Sequence, residues 1–304
     1  MNRVIERKWS GNKLPFLDIY IADTLQNFKL ENVERFPTQY NQRFHDGPAA
    51  FSKDGRLMVF NRNNYNGRST DGTKKLNLFY AYKTEKGFKN AKPFLFNNKE
   101  YSCGHGSISP DGKRVYFASD MPGGFGGVDI YYTELKSDST WGDPINLGNL
   151  INTEGNEMFP FIHETNQLFF ASNGHVGLGG LDIFVVSLNN IGKVINLGHP
   201  INSRWDDFGL ILNSKQKGGY FSSNREGGLG FDDIYGFKLN NPIITSTKVI
   251  GITINQFDSI VPDAKVFLKN NKGAIIDSTF SDDKGKFQFI IKPKLTFEFI
   301  ASKR

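Results

Sequence analysis

The chain has 304 residues, 37 Lys/Arg against 31 Asp/Glu and a formal net charge of +6. Its single cysteine, Cys103, excludes an internal disulfide and a cysteine metal cluster. No apolar run approaches the roughly 18 residues of a membrane-crossing helix, and the opening MNRVIERKWSGNK lacks the apolar core of a signal peptide. The charge is uneven: residues 1–100 hold 18 Lys/Arg against 10 Asp/Glu, and residues 101–242 hold 9 against 15. The most regular part of the chain is therefore acidic, and no nucleic-acid partner is expected. Abundant Gly (32) and Phe (28) favour short strands joined by tight turns.

In chain order, the first recognisable stretch is VIERKWSGNKLPFLDIYIADT, which reads as the later part of a repeating unit. Four fuller units follow. Their common mark is Asp-Ile-aromatic, usually after glycines, with Asp18, Asp129, Asp182 and Asp233 at its head and Asn77 in the second slot. The spacings are 59, 52, 53 and 51 residues. A second mark, an apolar strand around Phe60, Phe117, Phe170 and Phe221, precedes each of the last four. A turn precedes that strand: SKDG with Asp54, SPDG with Asp111, then HETN and SKQKG. INLGNLINTEGNE at Ile145 is echoed by INLGHPINSRWDD at Ile195.

Marks in fixed order at about 50 residues indicate a propeller or solenoid. Each unit predicts four strands. The first is of the type EMFPFI; Asp-Gly then makes a hairpin turn. The second is of the type LFFAS, the third DIFVVS, and the fourth the short segment at NLG. The Asp that opens the third strand is expected to cap backbone N–H groups of its glycine turn. Stacked sheets are covered on both faces, so the Ile and the aromatic are both expected to be apolar contacts.

SPDGKRVYFAS followed by GGVDIYY resembles the WD40-like, TolB-type propeller repeat. The set EMFPFI, LFFASNGHVGLGGLDIF, DDFGLIL and GYFSSNREGGLGFDDIYGF resembles the propeller of OmpA-family envelope proteins of the Bacteroidetes type, over about residues 1–242. After Pro242 the string PDAKVFL…DSTFSDDKGKFQF resembles a carboxypeptidase-regulatory-like β-sandwich. The expected fold is all-β: a five-bladed β-propeller over 1–242 with an incomplete first blade, then a partial Ig-like or prealbumin-like sandwich over 243–304. The resemblance implies a periplasmic, outer-membrane-associated protein, and with it an excerpt of a longer chain. It implies docking to envelope or secretion-system proteins, possible contact with type IX secretion, and peptidoglycan binding only through a domain absent from this chain. A non-enzyme is expected.

Catalytic signatures fail. GFGGVDIY and GLGGLDIF place Asp129 or Asp182 where a dinucleotide fingerprint needs its third glycine, and they lead into a strand. No phosphate loop, GxSxG elbow or HExxH helix occurs. SPDGK lacks the residue that an Asp-box has between Asp and Gly. The five histidines have no i, i+4 pair. One constellation remains. Asp46, Glu157 and Asp207 each stand five residues after an Asn (Asn41, Asn152, Asn202), with Ser102 or Cys103 in the remaining unit. They are expected to open successive innermost strands around one mouth of a central channel. Three readings stay open: caps of inter-blade turns, ligands of a hard cation such as Ca²⁺, or an acid–base pair of a carbohydrate-binding or glycoside-hydrolysing propeller. No cofactor is otherwise expected.

Overall fold

Every regular element of the computed structural model is a β-strand among the residues it describes, which are 16–25, 27–37, 40–41, 45–63, 67–189, 192–243, 245, 247–291 and 296–303. The expected segment VIERKWSGNK lies outside them. The chain divides into two compact units, Met1–Pro242 and Ile243–Arg304.

The first unit opens with a hairpin, β1 (Tyr20–Thr24) and β2 (Leu30–Arg35). Four antiparallel meanders follow. Blade one is β3 (Asp46–Phe51), β4 (Leu57–Asn63), β5 (Leu76–Thr84) and β6 (Gly87–Pro93). Blade two is β7 (Cys103–Ile108), β8 (Arg114–Ser119), β9 (Asp129–Glu134) and β10 (Ile145–Asn146). Blade three is β11 (Glu157–Ile162), β12 (Gln167–Ser172), β13 (Asp182–Ser187) and β14 (Ile195–Asn196). Blade four is β15 (Asp207–Leu212), β16 (Gly218–Ser223) and β17 (Asp233–Lys238). The first strands touch in series, β3 on β7, β7 on β11 and β11 on β15, as the inner strands of a propeller do. The hairpin β1–β2 supplies only what the sequence marks as third and fourth strands.

Packing follows from this stacking. Strands β12 and β13 are buried along their whole length, because a sheet between two others has no solvent face. Phe117 and Tyr131 join one core, with Val59 and Leu78 from the blade before. Phe170, Phe184 and Ile162 form the next, together with Tyr116 and Ile130 from blade two. Each inner strand carries a bulge, at Asp46/Ala49, Gly104/Ser107, Met158/Phe161 and Phe208/Ile211. The bulge puts the third residue of β7, β11 and β15 in the left-handed region: His105 at φ 55°, Phe159 at 52°, Gly209 at 63°. Glycine accepts that conformation freely, whereas a Phe there is a strained exception.

The hairpin meets the far end of the unit. Phe28, in the β1–β2 turn, packs edge-on against Tyr220 at 5.9 Å between centroids. Gly236 makes room for it: a Cβ there would lie 2.8 Å from the Phe28 carbonyl oxygen. Blades two and three have Tyr132 and Val185 at this place.

The second unit is two small sheets. Strand β18 (Thr247–Ile252) pairs with β21 (Lys286–Ile291), and β19 (Lys265–Asn270) lies between β20 (Ile275–Phe280) and β22 (Phe297–Ser302). Alternation puts Val266 and Leu268 inward, where they share a core with Phe289 of the other sheet.

Candidate functional site

The register Cys103–Ser119–Asp129, Glu157–Ser172–Asp182 and Asp207–Ser223–Asp233 brings three kinds of position to one end of the blades. These are the start of the inner strand, the end of the second and the start of the third. The glycine loops and the inter-blade connections emerge at this end.

The candidate carboxylates open β3, β11 and β15, and Cys103 rather than Ser102 opens β7. All four are buried. Asp46 accepts from Arg62 Nε at 2.7 Å. Glu157 accepts from the Thr153 N–H and hydroxyl at 2.7 Å and from Ser172 Oγ at 2.6 Å. Asp207 accepts from the Ser203 N–H at 2.6 Å and hydroxyl at 2.8 Å, and pairs with Arg225. Each is thus bonded within its own blade or the connection leading into it. Among the described residues no three His, Cys, Asp or Glu side chains form a group that could hold a metal ion. The structure therefore does not assemble the three into a cation site. Burial pushes the Cys103 thiol up to about 12, away from thiolate chemistry.

The repeated aspartates bind backbone. Asp129 accepts from the N–H groups of Phe125 at 2.6 Å and Gly126 at 3.2 Å. Asp182 accepts from Leu178 and Gly179, and Asp233 from Leu229 at 2.8 Å and Gly230 at 3.0 Å. Asp18 forms an ion pair with Arg35 instead. In the hairpin turns Asp54 accepts from Ser52 Oγ at 2.6 Å and Asp111 from Ser109 Oγ at 2.5 Å. Those hydroxyl bonds hold both carboxyls below the usual range.

Sequence reasoning missed a second device. The asparagines that served only as counting marks are clamps. Asn202 accepts from the Ile183 N–H at 2.8 Å and donates to its carbonyl at 2.9 Å. Asn152 does the same to Ile130, Asn97 to Leu78 and Asn41 to Ile19. Each copies a strand edge against the residue after the motif position. The recurring IN pair, 20 residues after Asp182 and 23 after Asp129, was the available signal.

The result is a face of braced loops. A Cβ on Gly126 would lie 2.3 Å from the Thr153 carbonyl oxygen, and one on Gly179 would lie 2.4 Å from that of Trp205. Loop and connection interlock at a distance that only glycine permits. Four residues before Asp129, Asp182 and Asp233 stands an exposed apolar side chain: Phe125 at 50%, Leu178 at 55% and Leu229 at 102% of full exposure. Their own N–H groups are the ones the aspartates hold. Leu150, Val176, Trp205 and Phe231 are exposed in the same loops and connections.

Between the inner strands of blades two, three and four the ring of His105 stacks on Phe159 and that of Phe159 tilts against Phe208, with centroids 3.8 and 4.7 Å apart. Burial pulls His105 down to about 4, so the ring is neutral at pH 7. Its Nδ1 is buried without a hydrogen-bond partner among the described residues. His163, in the third inter-strand turn, is also buried and reaches the Asn213 carbonyl of the fourth at 3.1 Å.

No protein-family model and no curated protein matches the chain. Solved structures similar to it include TolB from Acinetobacter baumannii, at 15% identity and a TM-score of 0.41 over 83% of this chain and 55% of that one. A puromycin hydrolase aligns at 13% identity and a TM-score of 0.42, over 74% of this chain and 33% of the enzyme. A thermostable family-43 glycoside hydrolase aligns at 18% identity and a TM-score of 0.37, over 64% and 72%. The chain thus spans about half of TolB and a third of the puromycin hydrolase. Likeness of this degree assigns no activity. It does correct one expectation: hydrolases stand beside TolB among these structures, and the reading of the chain as a non-enzyme is withdrawn.

Proposed function

We propose that the chain is a docking propeller of a bacterial envelope assembly, binding a partner protein through its glycine-loop face. The carrying observation is the apolar residue four before Asp129, Asp182 and Asp233, exposed in three successive blades while its backbone is held by the aspartate. Monomers rarely leave such side chains clustered on one face without a partner. Bracing by carboxylate and interlocked glycine lowers the ordering cost of binding. The envelope setting rests on the resemblance of the repeat to OmpA-family propellers and of 243–304 to carboxypeptidase-regulatory-like modules. The same resemblance underlies the proposed periplasmic, outer-membrane-associated location and a secretion-system partner of the type IX kind.

The test is affinity capture from cross-linked envelope extract with the 304-residue chain and with Leu178→Glu/Leu229→Glu. A stoichiometric envelope protein held by the first and lost from the second supports the reading. Equal capture by both, or retention of a glycan and no protein, overturns it.

A further inference from the structure

Blade one differs from its neighbours at the rim. Its fourth strand, β6, has seven residues, whereas β10 and β14 have two each. Strand β6 is the outer edge of its sheet. Lys89 and Lys92 stand on this strand, Lys86 in the turn before it and Lys83 near the end of β5, with Glu85 the one acidic residue between them. All four are exposed, and no ion pair joins any of them among the described residues. Tyr82, 44% exposed, lies opposite Lys89 in the register, and Lys83 lies opposite Phe88.

We propose that this rim attaches the chain to an anionic lipid surface. Register puts Lys83 and Lys89 on opposite faces of the sheet, so the charges flank its free edge from both sides rather than line a groove. Long lysine side chains on both faces of a free edge can reach past it to one plane of headgroups. The charges are lysines without an arginine among them, point charges suited to a diffuse field rather than to planar bidentate recognition. The exposed tyrosine adds a ring of the kind that sits at headgroup level. The acidic blades act little on the contact beyond a screening length of about 8 Å. Edge protection against self-pairing is a rival role for the lysines, with the bulge opposite Tyr80/Tyr82 and Pro93 serving the same end. The two roles separate, because glutamate protects an edge as well as lysine does.

The experiment is co-sedimentation of the full chain with phosphatidylcholine vesicles, with and without phosphatidylglycerol, at low and high salt. Binding is expected only with phosphatidylglycerol and is expected to weaken with salt. Each lysine near an anionic surface is worth about fivefold in partition, so Lys89→Glu/Lys92→Glu should lose at least about 25-fold. Lys83→Glu/Lys86→Glu, at the end of β5 and in the turn, gives an independent loss should the first pair disturb β6. Absence of binding overturns the proposal, as do equal binding by the variants and tighter binding to an oligonucleotide or a polyglutamate peptide than to the vesicles at matched anionic charge. No protein partner enters the assay, so its failure leaves the docking face untouched.

Discussion

Strands β13 and β17 hold the same place in adjacent blades, and their sequences, DIFVVS and DIYGFK, begin alike. All six residues of β13 are buried, while those of β17 alternate between half-buried and exposed. Blade three lies between blades two and four, so both faces of β13 are covered. Blade four has blade three on one side and the tip of the β1–β2 hairpin on the other. The motif is therefore not a burial signal in itself; the neighbours decide what it buries.

The largest expected break in that comparison is the residue after the aspartate. Ile183 is 1% exposed and Ile234 is 65% exposed. Ile183→Ala should cost about 2–5 kcal/mol, the range for a buried large-to-small change. Ile234→Ala should stay within about 0.5 kcal/mol. Paired denaturant titrations read both, and similar losses would mean that blade four is covered in solution.

A somewhat smaller effect is expected at the clamp. Asn202→Ala strips the Ile183 N–H and carbonyl of their amide partner in a buried site, at about 2–3 kcal/mol by the cost of unsatisfied groups. Ile234 has no such side-chain clamp among the described residues, so nothing equivalent exists to remove from β17. Hydrogen exchange should show the Ile183 amide losing protection ahead of the rest of β13.

Closure comes next. A side chain at Gly236 would meet the Phe28 carbonyl oxygen and Cβ at 2.8 and 3.0 Å. Gly236→Val should cost about 1–3 kcal/mol by overpacking. Phe28→Ala keeps that carbonyl and Cβ but loses the ring contact with Tyr220, which a hairpin tip displaced by Gly236→Val loses as well. The double variant should then cost less than the two losses added, which is the mark of a shared contact in a double-mutant cycle. Full additivity would show that Phe28 does not seat on blade four.

Much of this architecture was legible along the chain. The Asp-Ile-aromatic mark, the Asp-Gly turns at Asp54 and Asp111 and the short IN strands each depend on neighbours in sequence, so spacing alone could place them. The site was less legible. Asp46, Glu157 and Asp207 stand out as unpaired carboxylates until the pleat brings Arg62, Ser172 and Arg225 beside them from 15 to 18 residues away. The exposure of Phe125, Leu178 and Leu229 was hidden for the opposite reason. Large apolar residues beside glycine read as core, and only the aspartate-held turn points them outward.

The subtlest break lies in the inner strands, where the third position holds His105 in blade two, Phe159 in blade three and Gly209 in blade four. At neutral pH the first two behave alike, as stacked apolar rings. They differ in acid. An unfolded histidine takes up a proton near pH 6.5, whereas burial holds His105 neutral down to about 4. Between those values the unfolded state binds a proton that the folded state refuses, so stability falls as pH falls from 6.5 to 4. Burial lowers His45 as well, against the pull of Asp46, and adds to the same slope. His105→Asn isolates the first contribution, since asparagine tolerates the left-handed backbone and does not titrate. The variant should lose some stability at pH 7 with the ring stack, yet show a shallower decline than the parent across that window. Parallel slopes in urea titrations at pH 7, 6, 5 and 4 would mean that acid reaches His105 in the folded chain.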